Sequence, residues 1–176
     1  MANIDLDFLD DFDLDDSRPP QSKSDQPLWK RKRNDFYAGK VTLADATFRE
    51  DWKRTNLIFM SDDANAAGHD VIELSFGEKA GKPLAIVLRK LGLDVKVIKK
   101  FLQSPTEKGF APVAKALSGC ESFVVQIPYV VQGKYHQQTI YTEAGWQGLL
   151  ATYGGEPPTP EDLGYSPQSS DDDDLY

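Results

Sequence analysis

Apolar and polar positions change their spacing along this chain, and the changes mark its elements. Residues 40–48 (KVTLADATF) alternate as a strand, with Val41, Leu43 and Ala46 or Phe48 directed inward. The alternation slips after Ala44, which predicts a β-bulge. Asn56–Met60 reads as a second short strand and Asp70–Phe76 as a third. From Pro83 the period lengthens to that of a helix. PLAIVLRKLGL begins with a proline in its first turn and stops near Gly92. Residues 95–104 (VKVIKKFLQS) fit a second helix, although Val95, Val97 and Ile98 also suit a strand. Residues 110–118 read as a helix stopped by Gly119. Phe123–Val131 and Tyr135–Tyr141, joined through Gln132-Gly133-Lys134, predict a hairpin. Pro128 puts its position at an edge or bulge, because it has no N–H to give a ladder. Residues 143–153 close the domain as a short helix or an irregular strap.

The order is therefore strands, helices, hairpin. It lacks the alternation of βαβ units, so a doubly wound parallel sheet is not expected. The expectation is a mainly β fold with helices: a small OB-like five-stranded barrel with helical material between its third and fourth strands.

The flanks are different in kind. Residues 1–16 alternate seven aspartates with Ile4, Leu6, Phe8, Leu9, Phe12 and Leu14. Carboxylate repulsion opposes compaction, so residues 1–27 are expected to be a disordered acidic segment followed by a polar linker. Acidic-hydrophobic alternation also marks segments that order on a partner, and a solubilising tail is the other reading. The folded domain is expected over 28–155, and a disordered acidic tail over 156–176.

Charge changes the picture once it is divided along the chain. The total of −8 comprises −6 in residues 1–27, +5 in 28–155 and −7 in 156–176. An acidic total thus hides a basic middle, and the local field governs contact with a phosphate backbone. The single cysteine, Cys120, allows no intramolecular disulfide and no cysteine-rich zinc site. The start of the chain lacks the basic-then-apolar order of a secretory signal, and no apolar run is long enough to span a membrane. A cytoplasmic setting is the expectation.

Catalytic chemistry is absent from the reading. No phosphate-cradling glycine motif occurs. His69 and His136 are the only histidines, Asp62-Asp63 suits a solvated turn, and Ser118-Gly119-Cys120 is no nucleophile elbow. No cofactor or metal is expected.

What the middle segment does offer is cations interleaved with aromatic rings, the pairing that single strands need for phosphates and stacked bases. Trp29 adjoins Lys30, Arg31, Lys32 and Arg33; Phe36 and Tyr37 precede Lys40; Trp52 adjoins Lys53 and Arg54. Lys134 and Tyr135 stand at the hairpin tip with Tyr129 on the preceding strand, and Lys96, Lys99 and Lys100 form a further basic patch. At the other end, Asp171, Asp172, Asp173 and Asp174 precede Leu175 and Tyr176, a combination suited to a partner's basic-rimmed pocket.

An OB-like core over residues 36–155, a flexible linker, and an acidic tail with a final aromatic at 171–176 together resemble the single-stranded DNA-binding proteins of bacteria and their phages, the phage type above all. Bacterial members end in phenylalanine where this chain has Tyr176, and the acidic N-terminal segment is outside their pattern. The resemblance implies a non-catalytic protein that coats single-stranded DNA in replication or recombination, in the host cytoplasm if of phage origin, with the tail recruiting partner proteins. A competing class is a phage-type interaction factor whose acidic-hydrophobic N-terminus docks on a host enzyme such as a polymerase; a virion component is a third.

Overall fold

In the computed structural model, residues 5–20, 36–61, 71–130, 134–159 and 161–163 are described, with backbone alone at 71, 127–130 and 134–137. Five strands form one antiparallel sheet: β1 (Tyr37–Arg49), β2 (Arg54–Ser61), β3 (Val71–Phe76), β4 (Glu121–Val130) and β5 (Lys134–Tyr141). Among the described residues four α-helices accompany the sheet: α1 (Gly81–Lys90), α2 (Val95–Gln103) and α3 (Glu107–Leu117) between β3 and β4, and α4 (Glu143–Thr152) after β5. The spatial order is β3-β2-β1-β4-β5, so the long β1 lies at the centre. The fold is mainly β with helices, and the sheet curls into a half-barrel.

Local chemistry explains most boundaries. The slip after Ala44 is a real irregularity: the β1–β2 register shifts between Leu43 and Asp45. The ambiguous segment 95–103 is a helix because Asp94 caps it, its side chain accepting from the Lys96 N–H at 2.8 Å. Thr106 and Thr142 cap α3 and α4 in the same way, on the Gly109 and Gly145 N–H groups. α1 ends two residues before Gly92, whose φ of 98° suits only a residue without Cβ.

The concave face of the sheet carries Val41, Leu43, Phe48, Leu57, Phe59, Ile72, Leu74 and Val124, packed on Leu84, Leu88, Ile98, Phe101, Phe110 and Leu117 from α1, α2 and α3. Three of these rings interlock, Phe48 meeting Phe101 edge-on at 5.2 Å and Phe101 lying 5.1 Å from Phe110. A smaller cluster covers the other face of β4 and β5: Val125, Tyr141, Trp146, Leu149 and Leu163, with Phe123 stacked on Trp146 at 5.2 Å. The two sheet edges approach through a side chain. Gln138 of β5 donates to the Glu73 carbonyl of β3 at 3.0 Å and to Gln126 Oε1 at 2.9 Å.

The sequence-based boundaries at 28 and 155 leave outside the domain two segments that the structure packs on it. Leu163 is buried beside α4. On the N-terminal side, a 3-10 turn at Asp7–Asp10 directs Leu6 and Leu9 into the main core, where they are 4% and 3% exposed. Their spacing of three residues puts both on one side of that turn. The carboxylates between and around them face solvent or cations, so repulsion among them is relieved: Lys99 lies 3.7 Å from Asp7 and 4.0 Å from Asp10. The segment then crosses to α4. Tyr141 donates its hydroxyl to the Arg18 carbonyl at 2.8 Å, and Thr142 donates to Asp15 at 2.7 Å.

Candidate nucleic-acid interface

The turn from β1 to β2 collects the strongest candidate residues. Period-two alternation points Phe48 into the core and Arg49 outward. The chain then reverses through Glu50–Lys53, with Lys53 at a φ of 47°. Two reciprocal bonds pin the turn to the start of α3: the Glu107 N–H donates to Glu50 Oε1 at 2.6 Å, and the Glu50 N–H donates to Glu107 Oε1 at 3.3 Å. On this anchored turn, Trp52 is 65% exposed, the one large apolar side chain so exposed among the described residues. The Arg49 guanidinium lies over its ring, 4.8 Å from the centroid.

The flanking cations are held in place by neighbours. Lys53 Nζ pairs with Glu78 Oε1 at 3.2 Å, and Arg54 donates to Ser75 Oγ at 2.6 Å, which in turn donates to Asn56 Oδ1 at 2.8 Å. The cluster therefore presents one indole face already backed by a cation, with two further cations on the same turn and strand. An exposed ring beside cations is an arrangement that can stack a planar group and meet anions.

The other expected residues fall elsewhere. Tyr37 pairs with Gln126, so residues 127–130 run past the beginning of β1, away from the β1–β2 turn. Tyr129, Lys134 and Tyr135 pair around the β4–β5 hairpin at that opposite end, so the fold does not bring them to Trp52, Lys53 and Arg54. Tyr37 is buried, its hydroxyl donating to the Lys40 carbonyl at 2.6 Å, and Lys40 pairs with Glu121 at 3.0 Å. Lys99 is covered by the N-terminal segment. Trp29, Lys30, Arg31, Lys32 and Arg33, the tail residues Asp171–Tyr176, and Asp62, Asp63 and His69 lie outside the described residues.

Sequence reasoning passed over Arg49. Its signal was available in the outward parity of β1, three residues before the tryptophan. It also passed over a cleft on the concave side of the same turn. This cleft, about 900 Å³, is bounded by the β1–β2 turn, the end of β3, α1 and the α2–α3 connection. Among the described residues no group of three or more His, Cys, Asp or Glu is placed to hold a metal ion, and no helix is long and apolar enough to cross a membrane. Burial raises the Cys120 thiol above its ordinary range, the reverse of what a thiolate nucleophile needs. Comparison with protein-family models, with curated proteins and with solved structures finds no match.

Proposed function

We propose that this chain binds single-stranded DNA without catalysis, in replication or recombination, and that residues 171–176 recruit partner proteins. The observation that carries the reading is Trp52: an indole 65% exposed on a pinned turn, with Arg49 over its ring and Lys53 and Arg54 beside it. An exposed tryptophan gains nothing for the core, and base stacking explains its exposure.

The fold supports the same reading. In an OB barrel the strand 2–3 surface and the loops joining strands 1–2 and 4–5 receive oligonucleotides. Here β1 lies between β2 and β4, the helices intervene between β3 and β4, and Gln138 links the two sheet edges.

The test is fluorescence anisotropy with a labelled single-stranded oligonucleotide at two salt concentrations, and the matching duplex as control. Binding should favour the single strand and fall steeply with salt as counterions are released. Trp52→Ala should cost ~1–3 kcal/mol of that binding. No binding at low salt, or a Trp52→Ala variant equal to the parent, refutes the proposal.

A further inference from the structure

The cleft beneath the β1–β2 turn has features that a space left by poor packing would not combine. Its floor is aromatic, with Phe48, Phe76 and Phe101. At its base lies Thr55, 2% exposed, whose hydroxyl has no hydrogen-bond partner among the described residues. A buried hydroxyl left unbonded is costly, and a valine of the same shape would suit an inward strand position better. A retained hydroxyl at the end of an apolar cleft is a group awaiting a polar atom from a ligand.

The rim carries charge of both signs. Lys53, Lys79 and Lys82 stand there with Asp5, Glu50 and Glu78. The three carboxylates are each engaged: Asp5 by the Asp7 N–H, Glu50 by the Glu107 N–H and Glu78 by Lys53. Lys82 lies over the Phe8 ring at 5.8 Å, and Lys79 has no carboxylate at ion-pair distance among the described residues. The cleft therefore combines a rim of mixed charge, on which Lys79 stands outside the ion pairs, with three phenylalanines and one buried hydroxyl.

We infer that this cleft is a nucleotide pocket: a phosphate meets Lys79 and Lys82, the base lies among the phenylalanine rings, and a polar atom on the base edge bonds Thr55. Unstacked bases are commonly received on aromatic side chains with a hydrogen bond to an edge. The volume lies within the usual range of small-ligand sites. The inference rests on the strand-binding reading for its source of nucleotide. Lys53 and Glu50 line the cleft while Trp52 projects from the same turn, so a strand crossing the turn would stack one base on Trp52 and lower a neighbouring one into the cleft. A free mononucleotide presents the same chemistry.

The test is an NMR titration of the full chain with thymidine 5′-monophosphate, following the amides of Thr55, Gly77 and Gly81. These should shift, while ribose 5-phosphate and octanoate at equal concentration leave them in place. Thr55→Val should weaken nucleotide binding about threefold to tenfold, the worth of one neutral hydrogen bond. The same variant should melt at a higher temperature than the parent, which separates loss of a ligand contact from loss of fold. Lys79→Ala should weaken binding and flatten its salt dependence. Three results overturn the pocket: no shift with the nucleotide, equal shifts with octanoate, or a Thr55→Val variant that binds like the parent. Trp52→Ala keeps the two proposals apart, since it should lower oligonucleotide affinity and leave the mononucleotide titration unchanged. Oligonucleotide binding with an empty cleft refutes the pocket alone. Mononucleotide binding without oligonucleotide binding refutes the strand reading and makes the free nucleotide the ligand.

Discussion

Replacing Leu9 with alanine tests whether the acidic N-terminal segment is part of the folded domain. Leu9 and Leu6 are 3% and 4% exposed and join the same core cluster as Leu84 and Leu88. Truncating a buried leucine costs ~2–5 kcal/mol, with the lower values where neighbours can close the gap. A short surface turn can settle inward, so ~2–3 kcal/mol is expected for Leu9→Ala. The loss also has a ceiling. Once truncation costs more than docking contributes, the segment detaches and the rest of the domain loses nothing further. Leu6→Ala and Leu9→Ala should therefore combine to less than their sum. Urea unfolding gives the stabilities. Hydrogen exchange at the Leu9 and Phe12 amides, which donate to the Leu6 and Phe8 carbonyls, reports detachment directly. Salt distinguishes the force involved. The Lys99 pairs with Asp7 and Asp10 are largely exposed on the acidic side, so each contributes at most ~1 kcal/mol. At about 1 M salt, where the Debye length is ~3 Å, the segment should stay docked. Variants within ~0.5 kcal/mol of the parent, the range of ordinary surface substitutions, would refute the reasoning. So would salt-induced exchange at Leu9.

Three further outcomes follow from the same contacts. In Gly145→Ala the new Cβ would lie 2.8 Å from the Asp16 carbonyl oxygen, so urea unfolding should show a net loss of ~1–3 kcal/mol despite alanine's better helix propensity. Tyr141→Phe removes the bond to the Arg18 carbonyl and should cost ~0.5–1.5 kcal/mol, with faster proteolysis between residues 5 and 20 as the local readout. Burial raises the Cys120 thiol and the Tyr141 phenol, so the folded state favours their neutral forms. The stability this gives is full below the ordinary thiol and phenol values, and is lost as pH rises through the raised folded values. Through these two groups unfolding midpoints should fall on the alkaline side, and alkylation of Cys120 at pH ~8 should be slow until the chain unfolds.

Much of the fold was legible along the chain because it depends on near neighbours. The bulge after Ala44, the stops at Gly92 and Gly119 and the β4–β5 hairpin all follow from backbone preferences and a spacing of two or of 3.6 residues. Segment 95–103 stayed open between helix and strand, since Val95, Val97 and Ile98 satisfy both. Asp94 as cap and the burial of Ile98, Phe101 and Leu102 against neighbouring helices decided it.

The candidate site was only half legible. Trp52, Lys53 and Arg54 could be picked out as a cation-aromatic run, but nothing local says whether a tryptophan faces the core or water. That depends on what packs against it, and here the tie between Glu50 and Glu107, distant in sequence, holds the turn outward. Leu6 and Leu9 show the converse. Composition alone reads their segment as self-repelling, because it counts carboxylates and omits the cations that the fold brings up from α1 and α2. Thr55 is the clearest case. In the sequence it is a polar residue at a strand's start, and only the packing of α1 and α2 over the sheet turns it into an unbonded hydroxyl at the base of an aromatic cleft. Periodicity and capping act over a few residues and can be read in order; burial, pairing and enclosure join residues far apart in the chain, and those the tertiary structure alone decided.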